Sequence, residues 1–227
     1  MAKNNNKDRA EKILQRLRES FAMPKWISSR NNPFETLIIT IISQNTSDRN
    51  TERAFENLSR TFPITPEALA KAETAKIEEC LKVAGLYRNK ARVIKEVSKI
   101  ILEKFDGSLE PILAMPFEEA RKTLMRLPNV GPKTADVLLL FSANKPTVPV
   151  DTHVNRVSKR LGLAPVDGDY EDVRASLQIL YKPEDYSAIH ILLILLGRKY
   201  CKARKPLCEH CPVKDSCPSK ESVAYEA

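Results

Sequence analysis

Four of the five cysteines lie close together near the C-terminus, with the spacing of a metal or cluster site. They form a C-x6-C-x2-C-x5-C run that consists of Cys201, Cys208, Cys211 and Cys217. Four thiolates in so short a segment can bind one tetrahedral zinc ion or one 4Fe-4S cluster. Zinc modules usually combine two short cysteine pairs and this run contains one, but the spacing alone leaves both centres open.

A lysine at the start of a predicted helix is the first candidate for catalysis. One helix is expected to end near Arg126, and Pro132 is a residue type favoured at the first position of the next. The free backbone N–H groups at such a helix start can bind a phosphate without reading base sequence. Lys133 falls in the first turn, where the helix dipole disfavours a cation and so favours the neutral, nucleophilic amine. The alternative is an ordinary helix–turn–helix connection with a solvated lysine.

A carboxylate at a second helix start is the other catalytic candidate. Asp151 ends the extended segment 146–150 and precedes a helical pattern, which is the position of an N-cap. A capping carboxylate that accepts backbone N–H bonds stays ionised, so it can act as a base or stabilise positive charge. The alternative is a purely structural cap.

The composition is that of a basic, folded protein. Of the 227 residues, 37 are Lys or Arg and 29 are Asp or Glu, which gives a net charge of +8. This excess favours a polyanionic partner such as nucleic acid. The longest apolar run, Ile191 to Leu196, is far shorter than the ~20 residues that span a bilayer, so no membrane segment is expected. The polar N-terminus lacks a signal-peptide pattern, which predicts a cytoplasmic protein in which disulfides are rare.

Helical periodicity dominates the chain and predicts an all-α fold. Apolar residues at 13, 14, 17 and 21 form one helix face, and Thr65-Pro66 resembles a cap followed by a helix start. Gly85 and Gly107 are interpreted as helix stops. The helix from Lys90 to Lys104 is interpreted as a solvated face rather than as a DNA contact. Further helices are predicted over about 35–43, 48–61, 74–83, 89–105, 117–126, 132–142, 152–161, 170–180 and 185–198.

Together these segments resemble the endonuclease III family of helix-hairpin-helix DNA glycosylases. The resemblance is carried by LPNVGPKTA at 127–135, VDTHV at 150–154 and the cysteine spacing at 201–217. GLYRNKA at 85–91 and GRKYC at 197–201 support it, and it extends over about residues 8–220. Because three separate motifs agree, the resemblance is highly specific.

The resemblance implies two helical domains that flank a DNA-binding cleft. Residues 34–145 would form a six-helix barrel that contains the helix-hairpin-helix at about 117–142. Residues 1–33 and 146–227 would form the second domain, in which the four cysteines bind a structural 4Fe-4S cluster. The target base would be flipped out of the duplex. Lys133 would attack C1′ and form a Schiff base, and Asp151 would assist its deprotonation and stabilise the charge on the sugar.

The resemblance also implies a set of DNA contacts. Leu86 matches the family's apolar wedge, while the void-filling glutamine of the family aligns with Asn45 and has Gln44 as its neighbour. Asn129 stands where glycine is usual, and Pro132 where a basic residue is common. The expected DNA-binding residues are Gln44, Asn45, Asp48, Leu86, Asn129, Val130, Gly131, Thr134, His153, Arg156, Lys202, Arg204 and Lys205.

The function expected from the resemblance is removal of oxidised pyrimidines from double-stranded DNA, with lyase activity at the abasic site. One alternative is a monofunctional mismatch glycosylase of the same superfamily, whose members lack a lysine at position 133. The other is a non-catalytic, zinc-clamped protein that binds DNA structures. A nucleoid-associated monomer is expected.

Overall fold

The computed structural model describes residues 2–24 and 32–220, so residue 1 and the segments 25–31 and 221–227 lie outside it. Within the described residues the regular structure is entirely helical, which confirms the all-α prediction. The chain divides into two compact units, Ser29–Lys145 and Met1–Ser28 with Pro146–Ala227. No helix in the described part of the chain is long and apolar enough to cross a membrane.

The unit 29–145 contains eight α-helices within its described residues. They are α2 (Pro33–Ser43), α3 (Asp48–Thr61), α4 (Pro66–Lys71), α5 (Thr74–Leu81), α6 (Tyr87–Lys104), α7 (Glu110–Ala114), α8 (Phe117–Leu124) and α9 (Pro132–Ala143). A single apolar core joins them, in which α2, α6 and α9 contribute fully buried residues such as Ile41, Ile94 and Leu138. Burial of this apolar surface is the main stabilising term of the unit.

The helix ends in this unit follow the local sequence signals. The Thr65 hydroxyl caps α4 by accepting the Ala68 N–H, as the Thr-Pro pattern predicts. Gly85 and Gly107 adopt φ angles of +65° and +74°, which confirms both as stop signals. The five-residue helix α7 was not predicted, because it is too short to show a helical period.

The second unit is built from the N- and C-terminal parts of the chain. Its helices are α1 (Ala2–Ser20), α10 (Thr152–Arg160), α11 (Tyr170–Leu180) and α12 (Tyr186–Lys199), followed by short 3-10 turns at Cys208–His210 and Lys214–Ser216. Ile13, Leu17 and Leu193 are fully buried in its core. His190 Nδ1 donates to the Pro149 carbonyl at 2.8 Å and holds the extended segment onto α12.

Candidate active site and metal centre

The four C-terminal cysteines line one small cavity. They are free thiols, partly buried, around a volume of about 30 Å³ to which Arg160 and Tyr200 also contribute. Among the described residues, no group of three or more His, Cys, Asp or Glu side chains is arranged to hold a single metal ion. A donor set made only of thiols suits an iron–sulfur cluster, in which each cysteine binds a different iron.

Burial disfavours ionisation of these thiols in the absence of a metal. Burial is the main cause that raises the pKa of Cys211 to about 11, and charge on the other cysteines raises it further. Burial likewise raises the pKa values of Cys208 and Cys217. Because thiolates are the ligands, a bound cation must displace these protons, and this couples cluster binding to proton release.

Three arginines hold the cysteine segment in place. The guanidinium of Arg160 donates to the Lys202 carbonyl at 2.6 Å and lies 3.7 Å from Cys201 Sγ. Arg156 Nε donates to the Cys201 carbonyl at 3.1 Å, and Arg9 Nη1 donates to the Ser216 carbonyl at the same distance. Hydrogen bonds from a charged donor are worth more than neutral ones, so these contacts fix the start and end of the segment.

The hairpin before α9 presents backbone at the surface. Asn129 has a φ of +61°, a conformation that asparagine tolerates, so the turn forms without glycine at this position. Gly131 is the N-cap of α9, and a Cβ added there would meet nothing within 4 Å. Pro132 follows at the first helical position, as predicted. The open space at Gly131 lets a ligand approach the first N–H groups of the helix.

Lys133 is partly buried in the first turn of α9. An ion pair anchors this helix to α8. Arg121 Nε and Nη2 bind the two oxygens of Asp136 at 2.8 and 3.2 Å. The Asp136 side chain is fully buried and that of Arg121 is 11 % exposed. Bidentate geometry fixes orientation as well as distance, so the pair sets how α9 presents Lys133.

Asp151 is the N-cap of α10, as predicted. Its Oδ1 accepts the Val154 N–H at 2.7 Å. The residue is partly buried. The carboxylate is therefore oriented by the helix it caps, while its second oxygen can face another group.

Two of the expected DNA-contact residues bind each other. Gln44 Nε2 donates to the Asn129 carbonyl at 3.3 Å, and Asn129 Nδ2 donates to Gln44 Oε1 at 2.5 Å. Asn45 is exposed with a φ of +54°, and Leu86 is 61 % exposed with a φ of +48°. An exposed leucine in the left-handed region is strained, which is typical of a functional position.

The remaining expected contacts fall into three groups. Val130 and Thr134 are buried, so they can meet DNA only through backbone groups, while Asp48 begins α3 at the surface. Lys202, Arg204 and Lys205 are exposed. His153 and Arg156 are partly buried and lie 3.1 Å apart, and Arg156 also donates to the carbonyls of Thr152, Gly197 and Cys201.

Comparison with known proteins identifies the family. The model of the HhH-GPD superfamily base excision DNA repair protein matches residues 38–183, and that of the iron–sulfur binding domain of endonuclease III matches residues 201–217. The chain belongs to the endonuclease III family. Endonuclease III of Thermotoga maritima is 39% identical over 82% of this chain and 83% of its own length, and that of Escherichia coli is 36% identical over 96% and 99%.

A solved structure agrees with the family assignment. The fold matches that of a trapped endonuclease III–DNA covalent intermediate with a TM-score of 0.82 and 31% identity, covering 95% of this chain and 97% of the other. The protein is therefore a base-excision-repair DNA glycosylase that binds DNA and has a 4Fe-4S cluster as its cofactor. The zinc alternative is wrong, because the segment 201–217 is the iron–sulfur domain of endonuclease III.

Sequence reasoning missed several residues that support the site. The expected solvated face at 90–104 is wrong at its first residue, since Lys90 is 2 % exposed. The available signal was its place beside the apolar residues Ala91, Val93 and Ile94, which are buried in the structure. The ion pair of Arg121 with Asp136 gave no signal, because its partners are fifteen residues apart on different helices.

Proposed function

We propose that this endonuclease III family member removes oxidised pyrimidines from double-stranded DNA and then cleaves the strand at the abasic site through Lys133. The observation that carries the proposal is the position of Lys133 in the first turn of α9. The buried ion pair between Arg121 and Asp136 fixes this helix, and the space around its N-cap, Gly131, is open to a ligand.

The chemistry follows from an amine nucleophile at C1′. Lys133 Nζ forms a bond to C1′ as the glycosidic bond breaks and the base leaves with its electron pair. The ammonium formed at Nζ gives up one proton, which neutralises the departing base. The C1′–O4′ bond then breaks as O4′ takes up a proton from water, which leaves a protonated imine between Nζ and C1′. Loss of a C2′ proton then expels the 3′ phosphate by β-elimination, and hydrolysis of the imine releases the enzyme.

Asp151 supplies negative charge to the same reaction. Its carboxylate is held by the α10 N–H group, and we assign it to accept the lysine proton and to stabilise positive charge on the sugar.

The structure supports separate roles for two of the proposed DNA-contact residues, Leu86 and Asn45. Leu86 is assigned as the wedge that enters the duplex, because it is exposed and apolar. Asn45 is assigned to fill the space of the flipped base, since the amide of Gln44 is engaged with Asn129. The hairpin would bind phosphate with the N–H groups near Gly131. Asp48, Val130, Thr134, His153, Arg156, Lys202, Arg204 and Lys205 complete the proposed contact set.

The iron–sulfur centre is proposed to be structural. Cys201, Cys208, Cys211 and Cys217 would bind the cluster, and when bound it orders the exposed basic loop 202–205 for phosphate contacts. The unit 29–145, whose eight described α-helices include α8 and α9 of the helix-hairpin-helix, would be the barrel domain, and the other unit would be the cluster domain. A monomer suffices for this reaction, and nucleoid association would follow from DNA binding.

A product assay tests the proposal. Duplexes that contain thymine glycol, 8-oxoguanine or an A·G mismatch are incubated with the protein, and free base and strand cleavage are measured separately. We expect base release and cleavage together on thymine glycol. Base release without cleavage would indicate a monofunctional glycosylase, and binding without either product would contradict catalysis.

Two variants and a control assign the roles. Lys133→Gln should bind the thymine-glycol duplex but release no base and cut no strand. Lys122→Gln, which changes an exposed lysine on α8, should react like the wild type. Asp151→Asn retains a capping side chain, so it should slow base release by ~100-fold or more without loss of DNA binding. Strand cleavage that persists in Lys133→Gln would overturn the assignment.

A further inference from the structure

Lys90 is a buried lysine whose amine connects the ends of two helical segments in the unit 29–145. Its side chain is 2 % exposed, and Nζ donates to the Ile42 carbonyl at 2.8 Å and to the Ala84 carbonyl at 2.9 Å. A lysine is almost never fully buried unless it is paired, so this position calls for a physical reason. Burial lowers the pKa of Lys90, which means that burying the charge has a real cost.

Both acceptors are carbonyls at the C-terminal ends of helical segments. Ile42 lies in the last turn of α2, and Ala84 ends the 3-10 turn that follows α5. The last carbonyls of a helix have no partner within it and carry partial negative charge, which a cation stabilises. The Lys90 amine therefore provides a hydrogen-bond donor for carbonyls at two helix ends. An apolar side chain at this position would leave both buried carbonyls without that donor.

The two carbonyls stand at the bases of two proposed DNA-contact loops. Asn45 follows Ile42 by three residues, and Leu86 follows Ala84 by two. Each loop turns through left-handed backbone, with φ angles of +54° at Asn45, +65° at Gly85 and +48° at Leu86. The Lys90 N–H also donates to the Leu86 carbonyl at 3.0 Å, so its backbone and side chain restrain the same loop.

We propose that Lys90 is a positioning residue, which fixes the distance between the Asn45 and Leu86 loops so that both side chains act at one base pair. The inference rests on the proposed function, in which Leu86 opens the duplex and Asn45 fills the emptied space. It assigns Lys90 no contact with DNA. Its role is exerted through the two carbonyls.

Base extrusion is the step that this role affects. A thymine-glycol duplex requires a base to be unstacked and replaced, whereas an abasic site has no base to extrude. The informative quantity is therefore the single-turnover rate of base release from thymine glycol divided by the rate of borohydride trapping on an abasic duplex. A role in folding alone would lower both rates by the same factor and leave the ratio unchanged.

Lys90→Met removes the two hydrogen bonds while keeping an unbranched side chain. We expect the ratio to fall at least tenfold. The matched control is Lys95→Met on the same helix, which removes a bond from Lys95 Nζ to the Ala72 carbonyl. That carbonyl precedes no proposed DNA contact, so the control ratio should stay within twofold of the wild type. An unchanged ratio in a folded Lys90→Met protein overturns the role of Lys90 alone. Absence of base release by the wild type overturns the proposed function and this role with it.

A second measurement leaves Lys90 in place and applies even if Lys90→Met does not fold. Asn45→Ala, Leu86→Ala and the double variant are compared by their rates of base release. If the two loops act together at one base pair, the rate of base release in the double variant should be little lower than in the slower single variant. Losses that multiply would show that the loops act independently, and the proposal would be wrong.

Discussion

The buried ion pair between Arg121 and Asp136 should be essential to the stability of the hairpin region. Arg121→Met keeps most of the side-chain length but removes both hydrogen bonds to a fully buried carboxylate. Removing one partner of a buried pair typically costs about 3–5 kcal/mol, since the remaining charge stays out of water. For a chain of this size 1 kcal/mol corresponds to about 2–4 °C, so the midpoint of thermal unfolding should fall by about 6–20 °C.

A double variant distinguishes the effect of breaking the ion pair from the effect of changed side-chain packing on stability. Leucine is similar in shape to aspartate, so Asp136→Leu combined with Arg121→Met replaces the pair by apolar side chains. Such replacements are often neutral, and the midpoint should return to within about 4 °C of the wild type. As a control, Arg92→Met breaks the exposed pair with Glu96 and should cost less than about 1 kcal/mol.

Thermal unfolding followed by far-UV circular dichroism measures all four proteins. The same samples should show slower base release in Arg121→Met, because α9 presents Lys133. A midpoint for Arg121→Met within 2 °C of the wild type would refute the reasoning, since a fully buried carboxylate would then have lost its bidentate partner at no cost. A double variant less stable than Arg121→Met would refute the isosteric argument.

Three further predictions concern the wedge, a buried hydroxyl and the cluster. Leu86→Asn should lose about 0.8 kcal/mol of stability from reduced apolar burial and gain about 1 kcal/mol because asparagine tolerates the left-handed backbone at this position. The unfolding midpoint should therefore hardly change while the rate of base release falls. A lower stability with unchanged base release would contradict the role of Leu86 as the wedge. Tyr181 has a buried hydroxyl without a partner among the described residues, so Tyr181→Phe should raise stability by about 1 kcal/mol, whereas Tyr186→Phe, which loses a 2.9 Å hydrogen bond, should lower it. Burial raises the pKa of Tyr181, so wild-type stability is lost as the pH rises above about 10, and the advantage of Tyr181→Phe in thermal scans should grow there. Cys211→Ser should purify with less iron and sulfide and Cys80→Ser with the full amount; the reverse would contradict the ligand set.

The helices and their caps could be predicted because their signals are local. Thr65 before Pro66, Asp151 before α10 and glycines at 85 and 107 each act on backbone within a few residues. The cysteine spacing was equally local, although it could not distinguish zinc from an iron–sulfur cluster until the family was known.

The supporting residues could not be predicted because their partners are distant in sequence. Lys90 resembles any solvated helix lysine until the carbonyl of Ile42, 48 residues away, is placed beside it. The family resemblance places Arg156 among the expected DNA contacts, but its local sequence gives no sign that its guanidinium also donates to carbonyls of its own chain, including that of Cys201, 45 residues on. Charge in a sequence indicates a partner of opposite polarity, but tertiary packing decides whether that partner is a nucleic acid or the protein itself.

Mapping the covalent adduct tests the central claim most directly. The protein is mixed with a thymine-glycol duplex under borohydride, which reduces a Schiff base to a stable amine, and the trapped peptide is sequenced by mass spectrometry. We predict a single adduct on Lys133 and none in Lys133→Gln. An adduct on another amine, or trapping at the wild-type rate in Lys133→Gln, would contradict the account.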